Sequence, residues 1–219
     1  MKQAVLLASV LILFFCGTAY AYDDGDFQVW NTNGQDFKIN EELKLTLEEE
    51  FRWADNANEF FYHHYDIAAS LAFNKSTTFG GGYRHIYNLN NGKFKLENQP
   101  YLIASVSWQN HGFTLDSRNR MEYRHVKSSD DSWRYRNKIT LKPPWKFTKI
   151  QIQPYLADEI FIAFGNSQEE FNQNRFAAGF SLRLMERLKA ELYYMLASIK
   201  KTGDWNDVNV LGVKLKLSF

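Results

Sequence analysis

The sequence predicts an all-β fold, an antiparallel up-and-down transmembrane β-barrel of about 10–12 strands. Three observations predict it. Stretch after stretch alternates apolar with polar residues, the period of a strand with one greasy and one wet face. The last stretch, Val210 to Phe219, places Leu211, Val213, Leu215, Leu217 and Phe219 on one face and Gly212, Lys214, Lys216 and Ser218 on the other. Finally, aromatics make up 16% of the chain and gather near the ends of these stretches.

Composition narrows the class. The mean hydropathy of −0.45 excludes a helical membrane bundle. The only long apolar run, Ala4 to Phe15, is far short of the roughly 20 residues that cross a bilayer as a helix. A barrel that spans a membrane can be this hydrophilic, because only alternate residues meet lipid. The 26 basic and 25 acidic residues nearly cancel, whereas a nucleic-acid partner would demand a basic excess.

Residues 1–21 read as a cleaved secretory signal, with Met1 and Lys2 as the positive start, Ala4 to Phe15 as the apolar core and Ala19-Tyr20-Ala21 as the cleavage site. The remainder, 22–219, is one barrel domain. Removing Lys2 and Cys16 leaves 25 basic against 25 acidic residues and no cysteine, so disulfides are excluded. A lipoprotein anchor at Cys16 is disfavoured by Phe15, which occupies a position such signals give to a small residue.

Taken in order, Asp26 to Ile39 carries Phe27, Val29 and Trp30 and reads as a strand. After the turn Asn40-Glu41-Glu42, Leu43, Leu45, Leu47, Phe51 and Trp53 alternate with Lys44, Thr46, Glu48, Glu50 and Arg52. Glu49 breaks the apolar face, which marks either an interface or a bulge. Beyond Ala54 to Glu59, Tyr65, Ile67, Ala69, Leu71 and Phe73 share one face and His64, Asp66, Ala68 and Ser70 the other. Asn74 to Thr77 turns the chain into Phe79, Tyr83 and Tyr87, set against Gly80, Gly82, Arg84 and Ile86. The Gly80-Gly81-Gly82 run implies a bend or a close backbone approach.

Asn88 to Lys95 reads as a polar loop, and Leu102, Ala104, Val106 and Trp108 resume the alternation as far as the turn Gln109 to Gly112. The strand Phe113 to His125 has Thr114, Asp116, Arg118, Arg120, Glu122 and Arg124 on its wet face. After a loop from Val126 to Ser132, Arg134, Arg136, Lys138, Thr140 and Lys142 repeat the theme, so two adjacent strands build one basic wall. Pro143-Pro144-Trp145 is a rigid turn. Ile150 to Phe164 is strand-like, with Asp158 on its apolar side, where a register shift is expected. Gly165 to Asn174 reads as a loop. Phe176, Ala178, Phe180, Leu182 and Leu184 follow, opposite Arg175 and Arg183. Next come Leu188, Ala190, Leu192, Tyr194 and Leu196, opposite Lys189, Glu191 and Tyr193. Ile199 to Asp207 is the last loop before the closing strand.

Connections are thus short after odd strands and longer after even ones, the asymmetry of outer-membrane barrels. Phe51, Trp53, Tyr87, Tyr123, Trp133 and Tyr135 form one aromatic girdle, and Phe73, Phe79, Trp108, Phe113, Trp145 and Phe219 the other. The strand count is about 11, yet bacterial single-chain barrels are even-numbered. Either Asp26 to Ile39 is no ordinary wall strand, giving 10, or one strand is missed, giving 12.

Several residue groups carry a family likeness: Asp26-Phe27 with Trp30, Leu47 to Arg52, Gly82-Tyr83-Arg84, Arg118 to Arg124, Arg134 to Lys138, and the final Phe219. In this order they resemble the domain-of-unknown-function 2490 family of outer-membrane proteins, over nearly all of residues 22–219. Asn98-Gln99-Pro100 departs from the basic residue expected before the proline. The resemblance implies an outer-membrane location and a barrel fold, without an activity. It is similar to other outer-membrane barrels in ending on an aromatic, which there is part of the signal read by the barrel-assembly machinery.

The charged residues of the wet faces cannot meet lipid, where a midplane Arg or Lys costs about 2–4 kcal/mol, so they line the lumen. From the early strands these are Glu48, Glu50, Arg52 and Arg84. The basic wall adds Asp116, Arg118, Arg120, Glu122, Arg124, Arg134, Arg136 and Lys138, and the late strands Glu159, Arg183 and Glu191. Together they form either a salt-bridged filling or a narrow, anion-favouring channel. Outer-membrane lipids are the surroundings; no cofactor or metal is implied.

Two rivals come from other classes. A lipid hydrolase would use His64 and Asp66, on one strand face, as base and orienter, but no motif surrounds a serine that could serve as nucleophile. Adjacent His63 and His64 point to opposite faces and make a poor zinc site. A soluble lipocalin-type binder shows the same alternation turned inside out.

Overall fold

The computed structural model describes residues 24–127, 129–165, 168–201 and 204–219. The leader reading of 1–21 lies outside them. Among the described residues the alternating stretches become eleven strands: β1 (Phe27–Lys38), β2 (Leu43–Ala54), β3 (Glu59–Ala72), β4 (Thr77–Asn90), β5 (Lys93–Asn110), β6 (Phe113–Val126), β7 (Ser132–Lys142), β8 (Gln153–Gly165), β9 (Gln168–Arg183), β10 (Leu188–Lys201) and β11 (Asp204–Ser218). Each strand pairs antiparallel with the next, and the sheet closes where β1 meets β11.

That closing pair is parallel, from Phe27 opposite Asn209 to Asp36 opposite Ser218. The parity problem is thereby resolved as neither 10 nor 12. Asp26 to Ile39 is an ordinary wall strand, and an odd sheet closes because parallel strands also share an evenly spaced ladder. Phe219 is knitted into this seam. Its amide donates to the Asp36 carbonyl at 2.8 Å, and its ring stacks on Phe37 with centroids 5.1 Å apart.

We call the end where β1 begins the N-terminal rim and the end where β11 finishes the C-terminal rim. The expected length asymmetry of the connections is not found. Asn88 to Lys95 is a continuous hairpin, because Asn91 and Gly92 both take positive φ, 50° and 73°, the backbone of a tight two-residue turn. The ladders likewise run through most of Gly165–Asn174 and Ile199–Asp207. Polar composition there reported solvent rather than loss of pairing. Among the described connections the longest, residues 143–152, lies at the C-terminal rim and folds on itself through a Phe147–Ile152 bridge.

Register also corrects two local expectations. Asp158 pairs regularly with Ile139 and Phe176 and points outward, accepting from Asn174 Nδ2 at 3.0 Å. The bulge in that region falls between Phe161 and Ile162 instead. Glu49 pairs regularly with Asn33 and Tyr65, the β2–β3 bulge lying between Arg52 and Trp53. Of the two alternatives for Gly80-Gly81-Gly82, close approach is the one realised. No register shift occurs there, and a Cβ on Gly82 would fall 2.4 Å from the Tyr101 hydroxyl.

The alternation sorts the residues into an inverted globule. Leu102 (70% exposed), Ile67 (54%) and Ile139 (46%) face out, while Glu122 (0%), Asp66 (7%) and Arg136 (7%) face in. One side of the interior is apolar, built by Trp30, Tyr155, Ala177, Met195, Val208 and Val210 with Tyr193 packed against them. Tyr193 lies across Gly212, its partner on the β11 rung, where a Cβ would sit 1.9 Å from the ring.

Candidate functional site: a charged lumen

The site is the interior wall opposite the apolar side, and register dictates its chemistry. β6 and β7 set Arg120 beside Arg136 and Arg118 beside Lys138. Like charges directly opposed on one face repel, so carboxylates must come between or across them. Glu122, fully buried, accepts from Arg134 Nε at 2.6 Å and Arg136 Nη1 at 2.8 Å, with Arg120 Nη1 at 3.6 Å. Glu159, contributed by β8, takes Arg136 Nη2 at 2.9 Å and Arg118 Nη2 at 3.0 Å. Arg124 grips Glu97 of β5 with two bonds, 2.7 and 2.9 Å, the strong forked geometry of guanidinium with carboxylate.

The facing wall is tied just as closely. Arg84 Nε donates to Asp66 at 2.8 Å, and the Tyr101 hydroxyl donates to the same carboxylate at 2.5 Å. Arg52 Nε and the Thr32 hydroxyl both donate to Glu50, at 2.6 and 2.9 Å. A column of alternating rings and guanidiniums then crosses the barrel. Arg52 lies between Tyr62 (4.0 Å) and Trp30 (3.5 Å), Arg175 between Trp30 (4.9 Å) and Phe161 (4.7 Å), and Arg136 over Phe161 at 4.5 Å. Cation–π contacts of this kind strengthen where water is excluded. On the N-terminal side of this column lies a cavity of about 640 Å³, lined by Gln28, Trp30, Arg52, Asn88, Gln173 and Arg175.

Toward the C-terminal rim the same column borders a second cavity, of about 360 Å³. Its walls carry ten cationic and five carboxylate side chains, a formal excess of five positive charges. Lys214 pairs with Glu48 at 2.5 Å, Lys216 with Asp36 at 2.9 Å and Lys142 with Asp116 at 3.0 Å. Among the described residues Lys138 makes no such pair, and buried Arg120 leaves Nε without a partner. At the opposite rim, outside the barrel wall, Asp131 accepts from the Tyr123 hydroxyl and His125 Nδ1. Those two bonds hold its carboxyl below the ordinary aspartate value.

The structure brings together in the lumen Glu48, Glu50, Arg52, Arg84, Asp116, Arg118, Arg120, Glu122, Arg124, Arg134, Arg136, Lys138, Glu159 and Glu191. Arg183 is exposed at the C-terminal rim, apart from the network. Sequence reasoning set Arg175 opposite Phe176 and Ala178 without counting it among the lumen residues, and it missed Tyr62, Tyr101 and Gln99; for the aromatics, residue type obscured the face.

His64 and Asp66 share the inner face as expected but do not pair. His64 Nδ1 is 3.1 Å from the Tyr62 hydroxyl, while Arg84 and Tyr101 occupy Asp66. His63 faces outward, stacked on Tyr87 at 4.5 Å. Among the described residues no group of His, Cys, Asp and Glu is arranged to hold a metal. No helix among them is long and apolar enough to cross a membrane, which says nothing of crossing by strands.

No curated protein matches the chain. Residues 27–209, from the first strand into the last, match the family described as "Protein of unknown function (DUF2490)", and it is to this family that the chain belongs.

Proposed function

We propose that the protein is an integral outer-membrane β-barrel of a Gram-negative bacterium, non-enzymatic, whose lumen is stoppered by ion pairs and which serves as a structural or interaction barrel. The observation that carries this is the inverted polarity, with Leu102 at 70% exposure and Glu122 at 0%. An aliphatic belt of that kind is stable against lipid and unstable against water. It also counts against the lipocalin alternative, whose wet face would be outermost. On this reading the C-terminal rim faces the periplasm, the secretory leader delivers the chain there, and the barrel-assembly machinery reads the Phe219 strand. The engagement of Asp66 by Arg84 and Tyr101 supports the absence of hydrolase chemistry at His64.

Two measurements test it. The protein should fractionate with outer membranes and migrate differently on gels before and after heating; recovery with periplasm would refute insertion. Purified protein in planar bilayers should show no stable conductance steps. The cationic excess of the C-terminal cavity favours a second reading, a narrow anion channel. Steps whose reversal potential follows the chloride gradient would establish that reading in place of the plug.

A further inference from the structure

The outer wall carries a polar rung that the aliphatic belt does not explain. At one level of the sheet, Asn33, Glu49, Tyr65, His85 and Asn98 follow one another across β1 to β5. All five lie on the outward-facing side of their strands. Asn33, Glu49, Tyr65 and His85 border an external groove of about 430 Å³, which Leu47, Ile67 and Tyr83 continue. The Glu49 carboxylate receives a single long bond, from Asn33 Nδ2 at 3.3 Å. With the bulge displaced to Arg52 and Trp53, a bulge does not account for Glu49.

The order of the rung identifies the occupant. It is symmetric about Tyr65: an amide and an acid on one side, a base and an amide on the other. A two-fold axis through Tyr65 along the membrane normal exchanges the sides, so Glu49 of each copy meets the Tyr83–His85 edge of the other. Isologous contacts require that self-complementarity. Donors are at hand. Asn98 Oδ1 accepts from both the Tyr83 hydroxyl at 2.7 Å and His85 Nδ1 at 2.8 Å. The Tyr83 hydroxyl can therefore turn to a second copy's Glu49 without orphaning Asn98. The outward polar groups on the far wall are different. Asn137 donates to Asn119 at 2.9 Å and to Ser117 at 3.2 Å, and the rung through Asp158 continues to Ile139 and Phe176, with no base.

We infer that the β1–β5 face is a homodimer interface, with a second copy of this chain seated on the Glu49–Tyr65–His85 rung. The inference rests on the membrane reading, since an underserved carboxylate is costly only where water is absent; both nitrogens of His85 are already engaged, by Asn98 and by the Tyr87 hydroxyl. In a Cys16→Ser background, oxidative cross-linking of isolated outer membranes should convert most of Tyr65→Cys to a disulfide dimer. The yield should be at least several-fold above that of Phe176→Cys on the far wall. Glu49→Ala, checked for folding by heat-modifiable migration, should lower the Tyr65→Cys yield several-fold. Equal yields at both positions in outer-membrane protein would overturn the dimer alone. Recovery of the protein in the periplasm would overturn the membrane reading and the dimer with it.

Discussion

Replacing Glu122 with alanine should destabilise the barrel by about 3–5 kcal/mol, the usual effect of stranding a buried charge. Three guanidiniums converge on that carboxylate, which has no exposure of its own. Arg134 and Arg136 would each lose a bond shorter than 3 Å, and the opposed Arg120–Arg136 pair would lose its screen. Urea unfolding in lipid vesicles, with heat-modifiable migration as the readout of folding, measures the change. Asp116→Ala supplies the contrast. Its side chain is 36% exposed, with Lys142 as its ion-pair partner, and water screens such pairs to below about 1 kcal/mol. Were the lumen an open pore, the two substitutions would alter ion selectivity more than stability.

The second large effect is steric. Gly212→Ala should cost about 1–3 kcal/mol, the usual range for overpacking, because the added methyl would lie 1.9 Å from the Tyr193 ring. The ring cannot swing clear cheaply toward its other neighbour, Gly179, because the space there is taken by the Tyr155 ring, whose Cζ would lie 3.0 Å from a Cβ at that glycine. Combining Gly212→Ala with Tyr193→Ala should lose less stability than the sum of the two separate changes. A double-mutant cycle followed by the same unfolding assay measures that coupling.

Much of the fold was legible because period-two alternation marks faces directly. Arg118, Arg120 and Glu122 were assigned inward from it, and the strand count of about 11 came from it as well. What alternation omits is direction. Val29 reads the same whether Leu211 beside it runs parallel or antiparallel, so the parity rule suggested a conflict that the parallel seam removes. Polarity was likewise overread: Asn90 and Lys93 are hydrophilic because solvent surrounds them, and they still pair with each other. Within the lumen, charge located the ion pairs but not their partners. That Asp66 would choose Arg84 and Tyr101 over His64 depends on a cross-strand rung and on a ring lying over Gly82, neither of which is written in local sequence.

The seam has a further consequence for how the wall opens. Every other pair of neighbouring strands is joined by a connection, so a lost hydrogen bond there is soon remade. β1 and β11 share none, and Phe27 and Asn209, adjacent across the seam, are 182 positions apart along the chain. Once they part, no short connection holds them in register. Breathing motions of the closed sheet therefore begin at this pair. Its amides are the ones that solvent hydrogen should reach first, and the stacked rings of Phe37 and Phe219 act as the latch at its C-terminal end.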